Sequence, residues 1–271
     1  MTQAKPPVCL TIAGLDPSGG AGIVADIKTF TAFGCFAAAA VTSVTFQNTT
    51  GVFGAVHQTA DSVRSQTEAV LNDYDVAALK TGMLPTREII ETVAAIISER
   101  KVKNVVVDPV VRSTSGFDLI DDTALQTVIE KLFPLADVVT PNLPEAERIA
   151  RITISSNADI EKAAGIIQSM GAMNVLITGG HLLIADPKTR KAVDHLFVGD
   201  DHETLEADLI DTTSTHGTGC TLAAAIAANL ALGKGLKEAV KVAKDFVTEA
   251  IRTAPNLGHG HSPINTITSR A

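Results

Sequence analysis

The residues best suited to chemistry form a glycine-rich run, Thr215–Cys220 (THGTGC), at the start of a predicted helix that extends to Leu232. That helix is apolar almost all round, which is typical of a buried helix. Its first turn, at Gly217, Thr218 and Gly219, leaves backbone N–H groups and the positive end of the helix dipole without partners. Because buried unpaired donors are costly, the run is predicted to bind an anion such as a phosphoryl group in transfer. The competing interpretation is a glycine-rich turn that only packs.

Cys220 lies in the first turn of this predicted helix. The helix dipole is expected to lower the pKa of a thiol there. A thiolate could act as general base toward a substrate hydroxyl. The alternative is a small buried residue that lines a pocket, and the residues alone leave both interpretations open.

A second glycine-rich segment, Asp16–Gly22, ends without Gly-Lys-Ser/Thr, so it is not a P-loop, and it does not match GxGxxG. Its glycines are expected to let a ligand approach the backbone closely. Asp26 follows one helical turn beyond Gly22. Its carboxylate could accept hydrogen bonds from a substrate hydroxyl or amine, or it could simply stabilise the helix.

Asn142 and Glu145 stand three residues apart around Pro144, at the start of another predicted helix. Oxygen ligands and water-bridging carboxylates suit Mg²⁺ on nucleotide phosphates, but a proline and a glutamate at a helix start are also ordinary capping residues. The pair His259 and His261 is interpreted as a loop or tail feature, because no further metal ligands cluster near it in the sequence.

Short apolar strands alternate with helical patterns along the chain, which predicts a mainly parallel sheet with helices on both faces, in one domain over residues 1–271. Ligands bind such sheets beyond the carboxyl ends of the strands. The predicted strands are Val8–Ile12, Val41–Phe46, Ala77–Lys80, Val105–Val107, Val138–Thr140 and Val175–Thr178, with an antiparallel part between Leu182 and Leu209. Polar or glycine-rich segments follow these strands at Gly14–Gly22, Gln47–Gly51, Thr81–Met83, Asp108–Gly116, Thr140–Glu145 and Thr178–His181.

Composition excludes several classes of partner. The chain has 271 residues, a net charge of −8, one Tyr and no Trp. A nucleic acid or an anionic membrane surface requires basic side chains, and base stacking requires aromatic ones. The three cysteines are dispersed, and the N-terminus does not resemble a secretory signal, so we expect a cytoplasmic protein without disulfides.

Seven separated motifs resemble one known family, in its order and spacing, from about Val8 to Asn265. They are TIAGLDPSGGAGIVADIKTF, FQNTTGV, KTGML, VVVDPV, TPNLPEAE, TGGH and DTTSTHGTGCTLAAAIAA. This set is similar to hydroxymethylpyrimidine and phosphomethylpyrimidine kinases of thiamine biosynthesis, in the ribokinase-like superfamily. The resemblance implies a ribokinase-like α/β three-layer sandwich and a homodimer. It also implies phosphorylation of 4-amino-5-hydroxymethyl-2-methylpyrimidine, and then of its monophosphate, by ATP with Mg²⁺.

The resemblance also implies roles for individual residues. The positions that match the pyrimidine pocket are Gly14, Asp26, Gln47, Met83 and Val110. Those that match the anion hole are Gly217, Thr218, Gly219 and Cys220, with Cys220 as the base. Asn142 and Glu145 match the Mg²⁺–phosphate motif, with the metal held through water, and Thr178 and Gly180 border the nucleotide. Arg112 is left unassigned.

Two rival functions remain. Pyridoxal or pyridoxine is also an aza-aromatic ring with a hydroxymethyl group, so a pyridoxal kinase of the same superfamily is the nearest alternative. The FQN and KTGML runs favour the pyrimidine. A catalytically silent pyrimidine-binding regulator is disfavoured, because Asn142, Glu145 and the Gly-Thr-Gly-Cys run are all intact.

Overall fold

Nine strands pair into one sheet in the computed structural model, which describes residues 5–112, 116, 118–179 and 191–267. The strands are β1 Val8–Leu15, β2 Phe36–Asn48, β3 Gly51–His57, β4 Val76–Thr81, β5 Val105–Val107, β6 Val138–Val139, β7 Asn174–Thr178, β8 Lys191–Val198 and β9 Asp201–Asp208. Their order in the sheet is β3-β2-β1-β4-β5-β6-β7-β8-β9.

The six central strands, β2 to β7 in that order, run parallel, whereas β3, β8 and β9 pair antiparallel at the edges. The predicted mainly parallel sheet is therefore confirmed. The antiparallel part expected between Leu182 and Leu209 is confirmed for β8 and β9, and residues 180–190 lie outside the described residues.

Helices cover both faces of the sheet, and each face has its own apolar core. They are α1 Gly22–Ala32, α2 Ala60–Asp73, α3 Arg87–Arg100, α4 Asp122–Lys131, α5 Leu143–Ala150, α6 Asn157–Ser169, α7 Thr218–Ala231 and α8 Leu236–Arg252, with a 3₁₀ turn at Phe133–Leu135. Helices α2 to α6 enclose one core, and α1, α7 and α8 enclose the other. No helix among the described residues combines the length and the apolar character needed to cross a bilayer.

Helix α7 is the buried helix predicted from its sequence. Every residue from Thr221 to Leu230 is buried, and the amide of Asn229 donates to the carbonyl of Ala225 at 2.8 Å. The alanines let α7 approach both α1 and α8 closely and still contact β4 and β5. The start of α7 is thereby fixed relative to the carboxyl end of the sheet.

The hairpin formed by β2 and β3 differs from the sequence prediction. Strand β2 continues to Asn48, and Gln47 pairs with Val52 across the hairpin instead of lying in a loop after the strand. Strand β3 was not predicted, because Gly51 and Gly54 interrupt its pattern and it is only half-buried. The hairpin extends beyond the neighbouring strands and forms one wall of the site described next.

Candidate active site

A cavity of about 1100 Å³ opens at the carboxyl ends of the parallel strands. It brings together most of the residues that the sequence analysis selected from separate segments. Those that line it are Gly14, Gln47, Met83, Val110, Asn142, Glu145, Thr178, Gly217, Thr218, Gly219 and Cys220. Asp26 is absent from the wall, and Gly180 lies outside the described residues. The clustering is a finding, whereas the individual roles of these residues stay predictions.

Helix α7 begins at the wall of this cavity without any side-chain cap. Its N-cap residue, Gly217, has φ 82°, and a Cβ there would lie 1.9 Å from the carbonyl oxygen of Gly20, so only glycine fits. A Cβ on Gly219, by contrast, would meet no atom within 4 Å. The N–H of Thr218 donates to the carbonyl of Thr215 at 3.3 Å. The first turn of α7 otherwise faces open space, and the N–H groups of Gly219 and Cys220 are available to an anion.

The two glycine-rich loops are joined through the carboxylate of Asp16. Its oxygens accept the backbone N–H groups of Ser18, Gly20 and Ala21 at 2.8, 3.2 and 2.9 Å. The same carboxylate contacts Nε2 of His216 at 2.8 Å. Asp16 is only 2% exposed, so this network fixes the loop before α1 against the loop before α7.

These hydrogen bonds also set the charge of Asp16. Burial alone would raise the pKa of Asp16, but hydrogen bonds from His216, Gln47 and Ser18 hold the pKa of that carboxyl well below its usual range. The amide of Gln47 therefore lies near Asp16. Its predicted contact with a substrate ring stays a prediction.

Sequence reasoning missed Lys80, a buried cation in the floor of the cavity. Its Nζ bonds both carboxylate oxygens of Asp26, at 2.9 and 3.1 Å, and both side chains have no exposed surface. Asp26 also accepts the hydroxyl of Thr11 at 2.6 Å. In this conformation Asp26 lies beneath Lys80 and does not face the cavity. The signal was present in the KTGML motif, as a lysine that ends an apolar strand.

The expectation of a low thiol pKa at Cys220 is wrong. Burial, reinforced by the carboxylates of Asp108 and Asp26, raises the pKa of Cys220 to about 12, although the ammonium of Lys80 acts in the opposite direction. These neighbours come from distant parts of the chain, so the local dipole argument could not include them. Cys220 is therefore a protonated thiol at neutral pH that is partly exposed to the cavity.

Asp108, which follows β5, was also missed. Burial and the charge of Asp26 raise its pKa to about 6, against the opposing effects of Lys80 and of a hydrogen bond from Cys220. Its Oδ2 has no hydrogen-bond partner among the described residues and lies 4.0 Å from Nζ of Lys80. A buried carboxylate with a free oxygen beside a thiol is suited to accepting a proton.

Asn142 and Glu145 form a reciprocal capping box at the start of α5. The Asn142 side chain accepts the N–H of Glu145 at 2.9 Å, and Glu145 accepts those of Asn142 and Val111 at 3.0 and 3.2 Å. Burial and the neighbouring Asp108 raise the pKa of Glu145 to about 8. The capping interpretation of this motif is thus confirmed, and both side chains still reach the cavity wall.

On the opposite wall, Asp194 on β8 forms a buried ion pair with Lys244 on α8, at 2.7 Å. Asp194 also accepts the N–H of Gly179, directly after Thr178 at the end of β7. Neither member of the pair was predicted, because each lies in an otherwise regular strand or helix.

Arg112, left unassigned above, pairs with Asp118 at 2.9 Å on the cavity rim.

The geometry of Gly219 yields a mutational prediction. Gly219→Ala should reduce kcat/KM by about tenfold or more, because its methyl group would occupy the space in front of the α7 donors. Thermal unfolding should change little, since the new Cβ meets no protein atom. Gly165→Ala on α6 is the matched control, as its Cβ also meets no atom within 4 Å but lies away from the cavity. Equal activity of the two variants would contradict an anion site at Gly219.

Comparisons with known proteins agree with this geometry. The family model described as phosphomethylpyrimidine kinase matches residues 16–265. The hydroxymethylpyrimidine/phosphomethylpyrimidine kinase of Haemophilus influenzae is 45% identical over 257 residues, which cover 94% of this chain and 95% of that protein.

Two solved structures share the fold over most of their length. A pyridoxal kinase of Bacillus subtilis, in complex with ADP, has a TM-score of 0.87 and 39% identity, covering 97% of this chain and 98% of that one. A phosphomethylpyrimidine kinase from Clostridium difficile has a TM-score of 0.79 and 39% identity, covering 90% and 99%. The ribokinase-like sandwich expected from the motifs is confirmed, and the chain belongs to the phosphomethylpyrimidine kinase family of phosphotransferases.

Proposed function

We propose that the protein transfers a phosphoryl group from ATP to 4-amino-5-hydroxymethyl-2-methylpyrimidine, and then a second one to the resulting monophosphate. The observation that carries this proposal is the uncapped start of α7, which opens into a large cavity beside a thiol and a free carboxylate oxygen. Phosphoryl transfer depends mainly on positioning and on stabilisation of charge. The backbone N–H groups of Gly219 and Cys220, in the first turn of α7, supply that stabilisation for the group in transfer.

The acceptor ring is proposed to lie between Met83 and Val110, which contribute apolar surface to the cavity. A Cβ on Gly14 would lie 3.1 Å from the sulfur of Met83, so the glycine leaves room for this side chain. We propose that Gln47, which lines the cavity, hydrogen-bonds the amino edge of the ring, and that Asp26 acts on the ring through Lys80. The hydroxymethyl group then points toward Cys220.

The nucleotide is proposed to occupy the part of the cavity bordered by Thr178 and by the Asp194–Lys244 pair. Mg²⁺ would neutralise phosphate charge when bound. Asn142 and Glu145 fit that ion in donor chemistry, because both present side-chain oxygen atoms to the cavity wall. The described residues contain no cluster of three or more His, Cys, Asp or Glu side chains that could hold a metal ion.

In the transfer step, a bond forms between the acceptor oxygen and the phosphorus as the bond to the departing ADP breaks. The hydroxyl proton must leave during this step. We assign its final acceptor as Asp108, with Cys220 between the hydroxyl and this carboxylate. The assignment rests on the unpartnered Oδ2 of Asp108, on the proximity of Cys220, which lowers the pKa of Asp108, and on the pKa order of the two groups, about 12 and about 6.

The second candidate function, pyridoxal phosphorylation, is favoured by the likeness to the Bacillus subtilis pyridoxal kinase. Both acceptors would present a hydroxymethyl group on an aza-aromatic ring to the same wall. The match of the phosphomethylpyrimidine kinase model over residues 16–265 favours the pyrimidine.

Two further properties belong to this proposal. The predicted homodimer has an apolar surface available for it on the β2–β3 hairpin, where Phe46, Phe53 and Val56 are exposed. We also propose cytoplasmic residence, which the three dispersed cysteines of the sequence favour.

Product analysis tests the proposed function. Purified protein with Mg·ATP and the hydroxymethylpyrimidine should form the monophosphate first and the diphosphate later, resolved by chromatography. Pyridoxal should be the poorer acceptor by at least about tenfold in kcat/KM, equivalent to about 1.4 kcal/mol. A preference of that size for pyridoxal, or no ADP formation with either acceptor, would overturn the proposal.

The proton assignment predicts a pH dependence. Asp108 accepts a proton only when ionised, so kcat/KM for the alcohol should rise with pH up to about 6 and then level off. Asp108→Asn should abolish this rise of kcat/KM with pH and should lose most of the turnover. Cys220→Ala should lower kcat by roughly 100-fold, with a smaller effect on KM, and its kcat/KM should still rise with pH as in the unmodified protein. Near-native turnover of Cys220→Ala, or an unchanged rise of kcat/KM with pH in Asp108→Asn, would refute the proposed route of the proton.

A further inference from the structure

The C-terminal segment, residues 254–267, crosses the mouth of the cavity and is fastened on both sides. The backbone N–H groups of His259 and His261 donate to Thr49, at the tip of the β2–β3 hairpin, at 3.2 and 2.8 Å. Ser262 then accepts the N–H of His216, in the loop before α7, at 3.2 Å. The segment therefore holds the hairpin and the anion-binding loop at a fixed separation.

Close approach at the hairpin tip defines the path of this segment. A Cβ on Gly258 would lie 2.2 Å from Oγ1 of Thr49, and one on Gly260 would lie 2.1 Å from the carbonyl oxygen of Thr49. Only glycines allow this contact. The two histidines that flank Gly260 are consequently placed differently, because His259 is exposed to solvent whereas His261 is half-buried and lines the cavity.

The imidazole of His261 has one nitrogen engaged and one left for a ligand. Nδ1 lies 3.2 Å from the carbonyl oxygen of Thr213, and because a carbonyl only accepts, Nδ1 donates there. Nδ1 is also 3.5 Å from Oγ1 of Thr215, whose carbonyl accepts the N–H of Thr218 at the start of α7. Nε2 has no hydrogen-bond partner among the described residues, and when protonated it is a cationic donor.

The other basic side chains around the cavity are neutralised. Each of them forms an ion pair with a carboxylate, and they are Lys80, Arg112, Arg148, His216 and Lys244. His261 forms no ion pair with any described carboxylate. Within the described part of the cavity wall, it is the basic group that has no carboxylate partner.

We propose that His261 is a phosphate-contacting residue of this site, with Nε2 of its imidazolium donating to a phosphate oxygen next to the first turn of α7. The proposal rests on the proposed kinase function and adds a side chain to an anion site otherwise made of backbone donors. The phosphate belongs either to the monophosphate acceptor of the second step or to the nucleotide. The two sources have the same chemistry, and kinetics separate them.

Three variants test the proposal. His261→Asn places an amide near the position of Nδ1 and removes Nε2, whereas His261→Gln places an amide near Nε2. His259→Asn is the matched control on the same segment, outside the cavity. Initial rates would be measured with the hydroxymethylpyrimidine and with its monophosphate, varying the acceptor and ATP in turn, and thermal unfolding would be recorded for each variant.

We expect His261→Asn to raise one KM by about tenfold or more, the size of a lost charged hydrogen bond. A rise confined to the monophosphate places the contact on the acceptor, and a rise for ATP in both steps places it on the nucleotide. His261→Gln should retain more of the affinity, and His259→Asn should behave as the unmodified protein.

Three outcomes would overturn the proposal. The first is that the kinetic parameters of His261→Asn stay within twofold of those of His259→Asn, and the second is that His261→Asn and His261→Gln are impaired equally. The third is that all three variants lose activity and unfold at lower temperatures. If the Asn variant does not fold, the Gln variant still decides, since it should retain affinity in the same assays. An unmodified protein that forms no phosphorylated product would refute the proposed function itself, so the two failures are distinguishable.

Discussion

The active site depends on one buried carboxylate, Asp16, which joins two loops that are far apart in the sequence. A buried carboxylate is costly unless its oxygens are hydrogen-bonded. Those of Asp16 are satisfied by backbone N–H groups of its own loop and by His216 of the other. The ionised state of Asp16, the conformation of the loop before α1 and the position of the loop before α7 are therefore coupled. Gly217 packs directly against Gly20 because of this arrangement, and the start of α7 is left open to the cavity.

The distribution of charge follows from the same constraint. Besides His261, five basic side chains line the cavity, and each of these five is paired with a carboxylate. Recognition of a transferring phosphoryl group then relies on fixed backbone donors, which require no reorganisation during the reaction. Cys220 fits this account as a neutral thiol beside Asp108, in contrast to a preformed thiolate.

The sequence predicted features whose cause is local and missed those whose cause is long-range. The burial of helix α7 was predicted because its residues are apolar on all sides. The open turn at its start follows from Gly217 and Gly219. The capping box of Asn142 and Glu145 was recognisable from spacing alone. The pKa of Cys220 was predicted in the wrong direction, because burial raises it and because the carboxylates that raise it further come from α1 and from the segment after β5. Strand β3 was missed because pairing with β2, and not its own residue pattern, makes it a strand.

The central claim is that the phosphoryl group in transfer is held by the backbone of the first turn of α7. A crystal structure of the protein with ADP, the hydroxymethylpyrimidine, Mg²⁺ and a metal fluoride that mimics the transferring phosphoryl group would test it most directly. The account predicts that the fluorides accept hydrogen bonds from the N–H groups of Gly219 and Cys220, with the acceptor hydroxyl on the opposite side from ADP. A mimic bound away from α7, held by side chains while those two N–H groups remain unengaged, would contradict it.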